Sequence, residues 1–196
     1  MRRATYVLVM LVALAGVARA QDPPGRKPEQ PVTPPPREQP MPLNPQGESP
    51  IESDVWVGDK APDFELDGSQ GKPVRLSDLR GHWALLVFDD SRTRLADLMA
   101  IYGDLNSLGV RPYGISRDGS AALRTFAERE KLPYLLLSDP TGEVSQLYGM
   151  YDGENDAIQP GLVLLDPKGV VRTVLLGQAL HGPEILLLVR HSVTGI

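Results

Sequence analysis

The chain has 196 residues, of which 41% are hydrophobic and 23% are charged, and its formal net charge is −5. This composition is typical of a soluble globular domain, and the acidic balance argues against a nucleic acid partner, because such binding needs a basic face. The sequence contains no cysteine, which excludes a disulfide framework and any catalysis by a thiol of this chain.

The first twenty residues have the pattern of a secretory signal peptide. Arg2 and Arg3 provide a basic start, residues 4–18 form an apolar run, and Ala18 and Ala20 stand in an A-x-A arrangement. The apolar run is shorter than the roughly 20 residues that a membrane-spanning helix needs. We therefore expect cleavage after Ala20 and an exported protein, periplasmic or extracellular, with no transmembrane anchor. An uncleaved anchor is the alternative.

Residues 21–50 predict a disordered linker. They hold 11 of the chain's 19 prolines and few large apolar side chains, so they cannot bury enough surface to offset the entropy of ordering. The spacings in PVTP and PLNP also match the P-x-x-P pattern that docks in aromatic grooves, so the segment is either a spacer or a docking motif. Residues 51–196 remain for one folded domain.

The folded part alternates strands and helices. In chain order the patterns predict a hairpin in DFELDGSQGKPVRL, a strand in ALLVF, a helix from Arg92 that Gly109 closes, a strand in VRPYGIS, a helix in SAALRTFAEREK, a strand in YLLL, a short helix in EVSQLYG, a hairpin of GLVLL and VVRTVLL, and a helix starting at Pro183. This order indicates an α/β fold whose mixed sheet carries helices on both faces and an N-terminal hairpin.

Several motifs in this order resemble one family. The run VGDKAPDFELDGSQGKPVRLSDLRGHWALLVF is similar to the opening of the peroxiredoxins of the alkyl hydroperoxide reductase and thiol-specific antioxidant family. The ending SDPTGEVSQLYG and the hairpin LVLLDPKGVVR resemble later parts of the same family, so the likeness covers roughly residues 57–190. It implies a thioredoxin-like fold, and the fold alone does not give the function.

The resemblance fails at the reactive cysteine. The family carries P-x-x-x-T-x-x-C at the start of the helix after the first central strand, where the helix and an arginine hold the sulfur as thiolate. Aligned without gaps, Asp90 falls on the proline, Arg94 on the threonine and Asp97 on the cysteine. A shift by one residue keeps Thr93 as the threonine and puts Ala96 on the cysteine. Neither alignment leaves a nucleophile.

The arginine that the family places before its later central strand falls on Pro160. QPGLVLLD also resembles thioredoxins, in which a cis-proline precedes this strand and faces a C-x-x-C site; Thr93 and Ala96 then fall on the two cysteines. Both comparisons lead to an empty redox site, and the second predicts a cis bond before Pro160.

Other chemistry is poorly supported at this position. Asp89 and Asp90 follow an apolar strand, as in haloacid dehalogenase-type phosphatases, but Ser91 stands where their second aspartate is required. We expect Asp90 or Ser91 to cap the following helix instead. Arg92 and Arg94 are interpreted as solvated charges that balance Asp89 and Asp90.

The three histidines, His82, His181 and His191, lack the spacing of metal ligands, and we expect neither a cofactor nor a metal. The sequence thus predicts an exported, peroxiredoxin-like domain that has lost catalysis and binds a protein partner of the cell envelope. The alternative is a redoxin-family antioxidant enzyme that acts through a metal or a partner's thiol. Partner, pathway and oligomeric state are left open.

Overall fold

The structure, a computed structural model, describes residues 55–195. The expected signal peptide, residues 1–20, and the linker, residues 21–50, lie outside the described residues. The elements, in chain order, are β1 (Glu65–Gly68), β2 (Pro73–Arg75), a 3-10 turn (Leu76–Leu79), β3 (Trp83–Phe88), α1 (Arg92–Asp97), a second 3-10 turn (Leu98–Ile101), α2 (Tyr102–Ser107), β4 (Val110–Ser116), α3 (Ser120–Glu130), β5 (Leu135–Ser138), α4 (Glu143–Leu147), β6 (Tyr151–Asp152), β7 (Ala157–Ile158), β8 (Gly161–Leu165), β9 (Val171–Leu175) and α5 (Gly182–Thr194).

Seven of the strands form one mixed sheet in the order β2-β1-β5-β4-β3-β8-β9. The central strands β3, β4 and β5 run parallel to one another, whereas β8 pairs antiparallel with β3 and with β9. The hairpin of β1 and β2 joins the sheet beside β5. The predicted mixed sheet with an N-terminal hairpin is confirmed.

The sheet separates two cores, because successive side chains of β3 point to opposite faces. Leu86 and Phe88 pack with the first 3-10 turn and α4, against Tyr148. Leu85 and Val87 pack on the other face, against α1, α2, α3 and α5. The prediction of helices on both faces is therefore confirmed, and β3 is buried between them.

The helix predicted from Arg92 is interrupted in the structure. The 3-10 turn Leu98–Ile101 separates α1 from α2, although Gly109 follows with the positive φ of a helix end. This turn lies against the start of α5, where a Cβ on Gly182 would be 3.1 Å from the Ile101 side chain. The close packing of α5 against Ile101 explains the tighter 3-10 turn, which the apolar spacing of the local sequence does not predict.

The turn between β8 and β9 is held by a buried carboxylate. Asp166 accepts hydrogen bonds from the backbone N–H groups of Lys168 and Val170 and from the guanidinium of Arg172. Burial opposes the charge on Asp166, but these hydrogen bonds together lower its pKa below the ordinary value. The turn therefore has a fixed shape. Within residues 55–195, no helix has the length and apolar character needed to cross a bilayer.

Candidate functional site

The segment that should carry the reactive group joins β3 to α1. It lies at the carboxyl ends of the parallel strands β3 and β4, where α/β sheets commonly present ligands. The Asp89 N–H donates to the Ile115 carbonyl at 3.0 Å, which extends the β3–β4 pairing past the end of the strand. The Asp89 side chain consequently starts from a fixed backbone position and is only 4% exposed.

An ion pair fills the centre of this segment. Both Nε and Nη2 of Arg94 donate to the Asp89 carboxylate, the second over 2.7 Å, and the Ser91 N–H donates to the same carboxylate at 2.7 Å. The hydrogen bond to Asp89 raises the pKa of Arg94, although partial burial opposes it. The buried carboxylate is thus satisfied by a guanidinium from the next helix, so Arg94 balances Asp89 as expected, through a direct ion pair whose arginine side chain is 38% exposed.

The two residues after Asp89 have separate structural roles. Ser91 caps α1 by accepting a hydrogen bond from the Arg94 N–H, so one of the two expected caps is confirmed. Asp90 accepts instead from the backbone N–H groups of Arg117 at 3.0 Å and Ile158 at 2.9 Å. Asp90 therefore ties the end of β3 to the end of β4 and to β7.

Two more arginines at this end of the sheet are also paired. The Arg92 Nε donates to Asp118 at 2.6 Å, so Arg92 does not balance Asp89 or Asp90 as expected. Arg117 bonds to the carboxylate and the carbonyl of Asp156 in the loop between β6 and β7. Each of these three guanidiniums is thus committed to an aspartate of the same chain, which leaves little positive field for an external anion.

The space left beside the ion pair is a cavity of about 20 Å³. Asp89, Arg94 and Pro160 line it, together with the loop that precedes α5. A cavity of this size has room for about one water molecule. The concave mouth expected at the end of β3 is consequently almost filled by side chains of this chain.

The structure separates the predicted site residues into two groups. Arg94 and Pro160 meet at the cavity, although they are 66 positions apart in the sequence. Thr93 and Asp97 are exposed on α1, and Ala96 is half-buried. None of these three lines the cavity, so neither alignment of the lost cysteine places its substitute at the centre of the site.

The prediction of a cis bond before Pro160 is wrong, because residues 55–195 contain no cis peptide bond. The preceding residues already run as an extended strand: the Ile158 N–H is bonded to Asp90 and the Gln159 N–H to the Met150 carbonyl at 2.9 Å. A trans bond continues this path into β8, and trans is the preferred form of an X–Pro bond.

None of the three histidines lines the cavity. His82 contacts the buried Tyr113 hydroxyl at 3.1 Å, and burial followed by the nearby charge of Arg111 lowers its pKa. His181 precedes α5 in a capping box with Glu184, and His191 is exposed on the same helix. Among the described residues, no three His, Cys, Asp or Glu side chains are grouped as metal ligands.

Two partners at this site were not identified from the sequence. Asp118 and Asp156 stand 26 and 39 residues from the arginines that they bind, and no local pattern reports such pairing. The strands β6 and β7 have two residues each, too few for periodicity to show. The burial of Asp89 could have been predicted, since this residue directly follows the buried apolar run of β3.

Comparison with family models gives one match. The model of the AhpC/TSA family matches residues 57–174, which is more than half of the chain. This range begins shortly before β1 and ends within β9, so it includes the whole segment from Asp89 to Asp97 and also Pro160.

Sequence relatives agree with this match. The selenocysteine-containing peroxiredoxin PrxU of Peptoclostridium acidaminophilum is 32% identical over 150 residues, covering 68% of this chain and 70% of the relative. Peroxiredoxin 2 of Thermoplasma acidophilum is 32% identical over 146 residues, covering 68% of this chain and 73% of the relative.

Solved structures agree on the fold. Enterococcus faecalis AhpC superposes with a TM-score of 0.64 at 23% identity, over 70% of this chain and 92% of that chain. The peroxidoxin BcpB of Mycobacterium tuberculosis gives a TM-score of 0.63 at 22% identity, over 72% and 98% respectively.

Proposed function

Since the chain belongs to the AhpC/TSA family, we propose that it is a peroxiredoxin-like domain that has lost thiol catalysis and acts as a binding module. One observation carries this proposal above the others: the Asp89–Arg94 ion pair stands at the carboxyl end of β3 in a chain that has no cysteine.

The ion pair matters because of what thiol chemistry requires. A reactive thiolate needs a nearby positive charge to lower its pKa and space for the substrate that it attacks. Here the positive charge of Arg94 is neutralised by the carboxylate of Asp89, whose side chain is 4% exposed. The neighbouring cavity of about 20 Å³ has room for about one water molecule. Neither requirement is met, even before the missing sulfur is considered.

Purified protein should therefore not reduce hydrogen peroxide or an alkyl hydroperoxide with any dithiol donor. The measurement is consumption of peroxide against a buffer blank, run with and without a chelator. A cysteine-containing peroxiredoxin in the same assay shows that the donor works. Turnover above the blank that survives chelation would contradict the proposed loss of catalysis, and turnover that the chelator removes would support a metal-dependent enzyme instead.

A partner would bind through the exposed surface beside the cavity. Thr93 and Asp97 are exposed on α1, and the loop Gln178–Ala179 is exposed at the cavity's rim. Side chains that are polar and free of the domain's own packing can discriminate between partners without contributing to stability. This exposed surface is therefore our candidate binding site for a partner at the position where the family carries its cysteine.

A photo-crosslinker at position 97 should capture a discrete protein of the cell envelope in intact cells. The matched control is the same crosslinker at Lys131, which is exposed at the end of α3 on a different part of the domain. A product formed from position 97 and absent from position 131 supports recognition at the old site. Identical products from both positions, or none from position 97, would contradict it.

We also propose export, on the strength of the first twenty residues. Removing them would delete three arginines and no acidic residue, so the mature chain would be more acidic than the precursor. Intact mass of the exported protein should correspond to a chain that starts at Gln21, and a retained Met1 to Ala20 would instead support a membrane anchor.

A further inference from the structure

Two large apolar side chains are exposed at the end of the sheet opposite to the candidate site. Trp56 is 41% exposed and Val57 is 64% exposed. They lie in a turn that the Asp59 N–H closes by donating to the Trp56 carbonyl at 3.1 Å. These two adjacent side chains, held on one turn, form a small exposed apolar patch.

Backbone hydrogen bonds fix this turn against the β8–β9 turn. Gly58 and Val171 are joined at 2.9 Å, and so are Val171 and Asp59. The Gly81 N–H donates to the Pro167 carbonyl at 2.9 Å, which brings the start of β3 to the same place. The exposed and half-exposed residues within 56–60, 80–82 and 167–172 consequently lie side by side and form one surface, here called the Trp56 surface.

The Trp56 surface also concentrates positive charge. Lys60, Arg80 and Lys168 are all exposed, and the Arg80 Nε lies 3.9 Å from the position that a Cβ on Gly169 would take. None of the three forms an ion pair within residues 55–195. Asp59 opposes them as an exposed acid.

The remaining charged residue of the Trp56 surface does not add to this excess, because Arg172 is bonded to Asp166. The surface thus carries unpaired cations in a chain whose formal net charge is −5.

We propose that the Trp56 surface docks on the anionic headgroups of a lipid bilayer. Tryptophan prefers the boundary between water and hydrocarbon, and lysine and arginine near an anionic membrane are attracted to it. The negative balance of the rest of the chain would orient the domain with this surface toward the lipid.

The combination of an exposed tryptophan with unpaired cations favours lipid over an acidic protein as the occupant. The aromatic side chain fits the boundary between water and hydrocarbon, and the cations fit the headgroups beside it. This proposal does not depend on the loss of catalysis.

The test is cosedimentation of the exported chain, its start at Gln21 checked by mass, with two kinds of vesicle. One contains phosphatidylcholine alone and the other contains equal parts of phosphatidylcholine and phosphatidylglycerol. We expect binding to the mixed vesicles that falls with added salt. Each surface cation contributes about fivefold, so replacing Lys60, Arg80 and Lys168 by glutamine should weaken binding about 100-fold.

The matched control replaces three exposed cations elsewhere, Lys72, Lys131 and Arg190, by glutamine and so changes the net charge equally. The control should retain most of the binding. Equal loss in both variants, or no binding to the mixed vesicles, would overturn the proposal. Salt-sensitive binding to a soluble acidic polypeptide, with none to vesicles, would do so as well and would identify the surface as a protein site.

A second readout follows the apolar part of the Trp56 surface. Trp56 fluorescence should shift to shorter wavelength when mixed vesicles are added, and Trp56→Phe should remove that shift while Trp83, in β3, still emits. An unchanged shift in the Trp56→Phe variant would show that this side chain does not meet the lipid, contrary to the proposal.

Discussion

Replacing Arg94 with methionine should lower the free energy of unfolding by about 2–3 kcal/mol. The substitution keeps the length of the side chain but leaves the Asp89 carboxylate, 4% exposed in its side chain, without its guanidinium. Removing one partner of a buried pair costs more than the pair contributes, because the other charge remains desolvated. The expected loss of stability is smaller than that for a fully buried ion pair, because the Arg94 side chain is 38% exposed and water already screens part of its charge.

Arg92→Met is the matched control for this prediction. Arg92 lies two residues earlier in the same helix, but its partner Asp118 is 31% exposed and can be hydrated after the change. We expect a much smaller loss in urea unfolding than for Arg94→Met. Adding Asp89→Asn to Arg94→Met should recover part of the stability, since no buried charge then remains. Equal losses from Arg92→Met and Arg94→Met would contradict the central role of the ion pair.

Gly161→Ala should destabilise the domain by about 3 kcal/mol, at the upper end for overpacking a core. Gly161 begins β8 and pairs with Phe88 of β3. A Cβ at this position would lie 2.5 Å from the Leu175 carbonyl oxygen of β9 and would also collide with the buried Met150 sulfur. The carbonyl belongs to a paired strand, so relief requires moving β9 and not only a side chain.

Gly103→Ala is the control for Gly161→Ala in the same thermal or urea unfolding experiment. Gly103 lies in α2, and nothing is within 4 Å of the position of its Cβ. Alanine is the better helix former, so we expect a gain of about 0.5–1 kcal/mol. A neutral Gly161→Ala would mean that β8 and β9 can separate, which the packing described above does not allow.

The sheet and its main helices were predictable because each carries a pattern within a few residues. The continuous apolar run of β3 indicated a strand covered on both faces, and the turn DPKG indicated the β8–β9 hairpin. The interruption of the helix predicted from Arg92 was not predictable from the sequence. The 3-10 turn after Asp97 depends on packing against Gly182, which lies far along the chain.

The sequence predicted where the candidate site lies in the fold, but not which contacts its side chains make. The absence of a thiol followed from the sequence alone, and Ser91 was among the expected caps. The partners of Arg92 and Arg94 were assigned to the nearest acids, on the assumption that neighbours in sequence pair in space. The structure instead pairs Arg92 with Asp118, because the parallel strands β3 and β4 end side by side and bring their following loops together.

The commitment of the arginines to aspartates of the same chain limits how the domain can change in evolution. A cysteine introduced at position 96 or 97 would lie two or three residues after Arg94 in α1, and the guanidinium of Arg94 is held by Asp89. Without a free cation nearby, its thiol would keep a pKa near that of an ordinary cysteine and react slowly at neutral pH. Removing Asp89 first would free Arg94 but would cost stability before any activity appeared. Introducing peroxidase chemistry through a new cysteine thus needs several changes together, and the first of them, the removal of Asp89, is harmful alone.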